Sequence, residues 1–308
     1  MSLTAGNFAD LLEPGLRRIF DIAVSRPAPV RTLLFGEVPS TKRTEHYQGM
    51  GATGLVPPFQ GTVPYTDFDA GYRTDILNYE FAMGMQVERS LVDDDQYNEI
   101  KRRAQAIGDS FFITLEHDAA QVFINGFTDS GTNRMGASTN GADAVGLLST
   151  AHPNSPRDTG TTQANEGTLA LTLPNLDTTR QAMRNYTDDK GNLLGVNPDI
   201  LLIPPELERT ATQIISERAL YEPGSAQFDV NMFAGRLRPV VWDRLTDANA
   251  WFLMDSRLMK QHLIWQWRMQ PEFAKAEDFD GIMVKYRGYM RYGIGWDDWR
   301  WIYGQNPS

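Results

Sequence analysis

With 308 residues, 41% of them hydrophobic and 22% charged, the chain can bury a large core, in one elaborated domain or two closely joined ones. Cysteine is absent, which excludes disulfides and thiolate metal sites, and no run reaches the ~18–20 apolar residues of a membrane helix. The net charge of −10 argues against sequence-reading contact with nucleic acid, which needs clustered Lys and Arg.

Met1 to Asn7 shows neither the basic nor the apolar part of a secretory signal. An amphipathic stretch, Phe8–Glu13 continuing to Ile19–Ile22, is expected to break at Pro14-Gly15, and Pro27, Pro29 and Pro39 space out an extended segment. So many prolines predict an arm that lies on something else. After a Gly- and Pro-rich stretch, Tyr79, Phe81, Met83, Met85 and Val87 alternate with Asn78, Glu80, Ala82, Gly84, Gln86 and Glu88. A period of two predicts a half-buried strand about 30 Å long. Asp93, Asp94 and Asp95 then suit the positive end of a helix. Apolar residues recur at Ile100, Ala104, Ile107, Phe111, Leu115, Ala119, Val122 and Phe123, before Gly126. That spacing predicts a helix of about 30 residues and roughly 45 Å.

Residues 128–168 read as loops around a short strand near Val145–Leu148. A helix is expected from about Leu176 to Tyr186, a turn at Asp189–Asn192, a buried strand at Asp199–Ile203 and a helix from Glu206 to Arg218. Strands follow at Arg238–Trp242, Ala250–Asp255 and Ile282–Ile294. Helices and strands mix without regular βαβ alternation, so the class is α+β.

Signs of catalysis or cofactor binding are weak. Gly49-Met50-Gly51-Ala52-Thr53-Gly54 matches a dinucleotide loop by letter, but no apolar strand precedes it and Pro57-Pro58 blocks the helix that should follow. His46, His117, His152 and His262 form no i, i+4 pair. Asp67-Phe68-Asp69 and Glu277–Gly281 lack the ligand spacing of a calcium loop. Trp265, Trp267, Trp296, Trp299, Trp301 and Tyr303, with Arg287, Arg291 and Arg300, could stack on bases. In an acidic chain they fit a core or subunit interface better. No catalytic, cofactor or metal residues are therefore assigned.

The order of these parts resembles the tailed-bacteriophage major capsid fold, the Hong Kong 97-like architecture. Local motifs are similar to those of Mu-like major head subunits: Val87–Asp95 leading into the long helix, Leu148-Ser149-Thr150-Ala151-His152-Pro153, Asn197–Glu208, and Arg287–Trp296 with Asp298-Trp299-Arg300. The resemblance implies an N-terminal arm (1–45) and an extended loop (46–88) with Asn78–Glu88 as its descending strand. It further implies a peripheral domain with the spine helix (89–149), an axial domain (150–255) and peripheral return strands (256–308). The implied function is structural rather than enzymatic: self-assembly, as hexamers and pentamers, into an icosahedral shell around double-stranded DNA. The chain would reside in the virion capsid, after assembly in the host cytoplasm. Implied partners are further copies, a portal and a decoration protein, with packaged DNA close by only non-specifically and no membrane. The arm and loop use all residues before the spine helix, so either a separate scaffolding protein or scaffold-free assembly is expected.

On this resemblance Tyr79, Phe81, Met83, Met85 and Val87 would bury themselves on a neighbour's spine helix, with Arg73, Tyr221 and Phe228 as further interface residues. The Leu220–Gly235 loop would sit near the capsomer axis. Rival readings are a cargo-enclosing, encapsulin-like nanocompartment shell and a soluble α+β hydrolase. Some members of the resembled family weld subunits through a lysine in the extended loop, but no lysine stands between His46 and Glu88. Assembled particles are therefore expected to give monomer-sized bands on a boiled denaturing gel; ladders of higher mass would contradict a non-covalent shell.

Overall fold

Helix α1 (Ala5–Val24) runs through Pro14 and Gly15, where the sequence predicted a break. Proline removes a helical hydrogen bond, but Leu16, Phe20 and Ala23 recur at helical spacing and are all buried. Burial of that stripe outweighs the local defect. The arm lies on the chain's own long helix, α3 (Tyr97–Ile124), with the short α2 (Val30–Leu34) beside it. Contact is closest at Gly108, where a Cβ would stand 2.6 Å from the Ala23 Cβ and 2.9 Å from the Phe20 carbonyl oxygen. The computed structural model describes residues 5–26, 29–63, 65, 67–88, 90–91, 97–216, 219–221, 228–230, 233–278 and 283–307. Side chains of residues 5–12, 97, 219–221, 228–230 and 277–278 lie outside that description, as do Asp93–Asp95 altogether.

The apolar spacing of α3 is its buried face: Ile100, Ala104, Ile107, Phe111, Leu115, Ala119 and Phe123 are buried and Val122 partly so. Two carboxylates of the helix are also buried, and each has partners, as burial of charge requires. Glu116 accepts the Arg31 backbone N–H at 3.3 Å and the Trp242 indole N–H at 3.1 Å. Asp118 accepts the Tyr292 hydroxyl at 2.6 Å and two Arg134 nitrogens at 3.0 Å each. Burial raises the Glu116 carboxyl above its ordinary value, against the opposing pull of Arg31.

A four-stranded sheet covers α3, in the order β1 (Gly36–Pro39), β13 (Leu263–Asp278), β14 (Met283–Trp296), β4 (Tyr79–Glu88). Here the expectation for Asn78–Glu88 is corrected. The strand exists, but it is no limb of the extended loop: it pairs antiparallel with β14 from Glu88↔Met283 to Tyr79↔Tyr292. The extended hairpin is instead β2 (Thr44–Met50) with β3 (Ala70–Leu77). Strand β13 was not foreseen. Leu263, Ile264, Trp265 and Gln266 are buried in succession, and register shifts follow between Trp267 and Glu272, so no alternation survives to be read.

The remaining core surrounds a five-stranded sheet ordered β11 (Arg238–Val241), β8 (Ile200–Ile203), β12 (Trp251–Met254), β15 (Ile302–Gln305), β7 (Glu166–Gly167). Every residue of β8 and β12 is buried, which explains their continuous apolar runs. Helix α4 (Leu173–Arg184) packs near β15 and α5 (Glu208–Ser216) near β11. Helix α6 (Ser256–His262) is capped by Asp255, whose carboxylate accepts the Arg257 and Leu258 N–H groups. Short pairs join β5 (His152–Pro153) to β6 (Thr162–Gln163) and β9 (Ala219–Tyr221) to β10 (Phe228–Val230). Val145–Leu148 is buried loop at its end, with Leu147 and Leu148 in the core, and not the strand expected there.

The two glycines of the α1–α3 pair should respond oppositely to substitution. Gly108→Val forces α1 away and is expected to cost about 1–3 kcal/mol. Gly15→Ala, with nothing within 4 Å of its new Cβ, is expected to gain about 0.5–1 kcal/mol. Urea midpoints of the two variants check both signs.

Candidate subunit-contact surface

Between the ends of β2 and β3 the chain cannot build a core of its own. Pro57 and Pro58 bar regular pairing, and Gly54 (φ +78°) and Gly61 (φ +94°) turn the backbone through left-handed conformations. The apolar residues in this segment are left in solvent: Leu55 is 84%, Val56 94% and Tyr65 97% exposed, and Met50, Phe59, Val63 and Phe68 are each more than half exposed. Soluble monomers rarely display so many large apolar groups together, and such patches mark surfaces that another molecule covers.

Two sets of contacts hold this hairpin. At its root Gln266, itself buried, donates to the Ile76 carbonyl at 2.9 Å and to Asn78 Oδ1 at 3.0 Å, and accepts the Tyr47 hydroxyl at 3.1 Å. Asn78 in turn donates to Ser40 Oγ at 2.7 Å. Farther out the contacts are exposed or only partly buried. Asp189 accepts the Ala52 N–H at 2.8 Å, and Asp69 accepts Lys190 Nζ at 3.0 Å and the Arg157 guanidinium. Lys190 and then Arg157 hold the Asp69 carboxyl below its ordinary value. Asp189 and Lys190 belong to the predicted turn, closed by Gly191 at φ +84°.

The predicted stripe on β4 lies elsewhere, and mostly inward. Phe81 stacks on Tyr292 with ring centres 4.7 Å apart, Val87 is in the core, Met85 packs against it, and Tyr79 is partly buried opposite Tyr292. Only Met83, at 48%, remains substantially exposed. The expectation that the stripe docks on a neighbour is therefore corrected: period two identified the strand, and the chain's own helix and sheet cover its apolar side. Arg73 sits exposed on the hairpin, bonded to Asp75 at 2.9 Å and to His46 Nδ1 at 2.9 Å. The backbones of Tyr221 and Phe228 are paired in β9 and β10, but their side chains lie outside the described residues, as does much of the Leu220–Gly235 loop. Trp265, Trp296, Trp299 and Trp301 are core residues. His152 is fully buried, its Nδ1 2.7 Å from Asp143 Oδ2 and its ring stacked 4.4 Å from that of Trp299.

The sequence model of a family described as phage capsid protein matches residues 79–304. No curated protein matches the chain. Among solved structures the chain is similar to one from the capsid of Cyanophage P-SCSP1u (TM-score 0.60, 12% identity, 92% of this chain and 89% of that chain). It is also similar to one from the mature capsid of bacteriophage PhiM1 (0.57, 13%, 92% and 88%). A third likeness is to the virus-like particle from Pyrococcus furiosus (0.54, 10%, 95% and 98%). At these identities the likeness is one of fold.

The outer anchor of the hairpin should weaken in acid. A depressed carboxyl contributes order that is present above its ordinary value near 3.8 and lost as the pH falls through the folded value. At about pH 5, Asp69→Asn is expected to be cut by pepsin within residues 50–69 faster than the wild type. The difference should vanish well below 3.8; equal cutting at both pH values would remove Asp69 as the anchor.

Proposed function

The chain belongs to the phage capsid protein family, whose model spans most of its length, and from that premise we propose how it builds its shell. It is a major capsid shell protein with the tailed-phage capsid fold, and its role is structural. The exposed apolar segment of the hairpin is the contact that reaches a neighbouring copy. That segment carries the reading, since Leu55, Val56, Phe59, Val63, Tyr65 and Phe68 are each more than half exposed among the described residues. Full burial of one such side chain is worth about 1.5–3 kcal/mol before the cost of ordering the segment. Repetition around a closed lattice turns modest contacts into a durable particle.

The finer reading follows the resemblance. The chain forms hexamers and pentamers of an icosahedral, Mu-like head around double-stranded DNA, assembled in the host cytoplasm with a separate scaffolding protein, a portal and a decoration protein. In that arrangement the half built on the five-stranded sheet is axial, and the half built on α3 and the four-stranded sheet is peripheral. A chain of net charge −10 repels phosphate and leaves the packaged DNA free to slide. The second reading, a shell around protein cargo, is less well supported than the phage head, because the matching family model is one of phage capsid proteins. Particles purified from their source would then contain protein where a phage head contains DNA.

In negative-stain electron microscopy the concentrated wild-type chain is expected to form shells, tubes or rings. Val56→Asp combined with Phe59→Asp should leave only single subunits, with an unchanged circular dichroism spectrum because neither residue is packed in its own subunit. Normal shells from that variant would show that the hairpin is not the contact.

A further inference from the structure

The five-stranded sheet ends in two unlike edges. Beside β11, Arg180 and Arg184, one turn apart on α4, join Arg236 and Asp199 around a pocket of about 350 Å³. Asp199 is engaged elsewhere, accepting the Ser256 N–H at 2.7 Å and the Ser256 hydroxyl at 2.6 Å. Arg180 bonds to Asp177 at 3.3 Å. Arg184 and Arg236 are exposed and have no side-chain hydrogen bond or ion pair among the described residues. Arg184 sits in the last turn of α4, where a cation is favoured by the helix itself. Arg236 lies in the turn before β11 and has no such explanation.

The opposite edge, β7, is acidic. The Glu166 side chain has no hydrogen bond or ion pair among the described residues. Partial burial raises its carboxyl above the ordinary value, and the charge of Asp129 raises it further, against a smaller opposing effect of His152. Asp129 uses one oxygen to accept the Gly146 N–H at 2.7 Å and is otherwise exposed. Two like charges at one edge, with no cation paired to Glu166, are stabilised by an arriving cation.

A ring of identical subunits needs a head-to-tail contact, in which two different patches of one chain complement each other. Resting on the capsid reading above, we propose that the β11 edge of one copy meets the β7 edge of the next around each ring, Arg184 and Arg236 receiving the carboxylates of Glu166 and Asp129. Pro239 in β11 lacks an N–H, so this edge is poorly suited to strand-to-strand extension and must be read by side chains. Guanidinium and carboxylate suit that role, since their pairing is bidentate and directional.

Charge reversal tests the pairing. Wild-type assembly, with its scaffolding partner supplied by co-expression, is the control: if it yields no shells or rings, the capsid reading fails before this one is reached. Given wild-type shells, Arg184→Glu with Arg236→Glu should not assemble, and Glu166→Arg alone should not either. The variant that adds Asp129→Arg to these three substitutions, so that every contact is reversed, should form closed shells again. An equal mixture of the double variant and Glu166→Arg can satisfy its contacts only by alternation, which closes six-membered rings but not five-membered ones. It should therefore give tubes or flat sheets instead of closed shells. Should Glu166→Arg fail to fold by circular dichroism, Glu166→Gln and Arg184→Gln/Arg236→Gln serve instead. Each should raise the protein concentration needed for assembly about ten-fold or more, and lessen its sensitivity to salt. Unimpaired shells from the charge-reversed or neutral arginine variants overturn the pairing. Normal shells that retain less DNA would assign the arginines to phosphate instead.

Discussion

The burial of α3 along its whole length is the constraint on which the other parts depend. Its N-terminal half is gripped by α1, where Gly108 lets two helices approach within backbone contact. Phe111 meets Gly288 of β14, where a Cβ would fall 2.7 Å from the ring, so the sheet can lie flat against the helix. At the far end Phe123 packs edge-on against four aromatic rings: Phe35, Trp242, Phe252 and Trp301, at 6.4, 5.9, 5.6 and 6.4 Å. Through that one side chain the elements around α3 and the five-stranded sheet share a core. Glu116 and Asp118 fix the rotation of the helix, because each must keep its donors from α2, Trp242, Arg134 and Tyr292 to remain buried at tolerable cost.

A helix buried on several sides leaves little apolar surface for the hairpin to use. The β4 stripe, β14 and α1 already cover the available faces, so β2, β3 and the segment between them project beyond the core. The exposure of Val56 and Phe59 is thus a consequence of how completely the rest of the described chain is packed, and such a patch is the kind that another molecule covers.

What was legible in the sequence follows the same division. Helix α3 and strands β8 and β14 are each governed by one regular rule, helical spacing, a continuous apolar run or strict alternation, and each was read within a few residues. Strand β13 obeys none of these, since its first residues are buried on both faces and its bulges then reset the register. Pro14 misled because the break it should cause is outweighed by Leu16 and Phe20, whose burial depends on α3, far along the chain. The partner of β4 was equally non-local: alternation reveals a strand and its faces, not which strand lies beside it. The contact segment carried its signal in plain view, as large apolar residues scattered among glycines and prolines without any period. Residues of that kind have no core to join locally. His152, singled out as part of a recurring motif, owes its place to packing, held between Asp143 and Trp299.

The hairpin is held unevenly, and that unevenness suits the proposed placement of one subunit in rings of five and of six. Its root is fixed by Gln266 and Asn78, which are buried and fully engaged, so the direction in which it leaves the core is set by hydrogen bonds that cannot be exchanged for water without loss. Its outer part is held by Asp69, Lys190 and Arg157, all open to solvent, where ion pairs contribute little and are screened by salt. A change of angle between neighbours can therefore be absorbed beyond the root without disturbing the core. With no lysine in the hairpin to form a covalent link, a contact of the proposed kind made at the wrong angle could be released and made again. Weak outer anchors and reversible contacts together would let one sequence settle into the two local symmetries proposed for it.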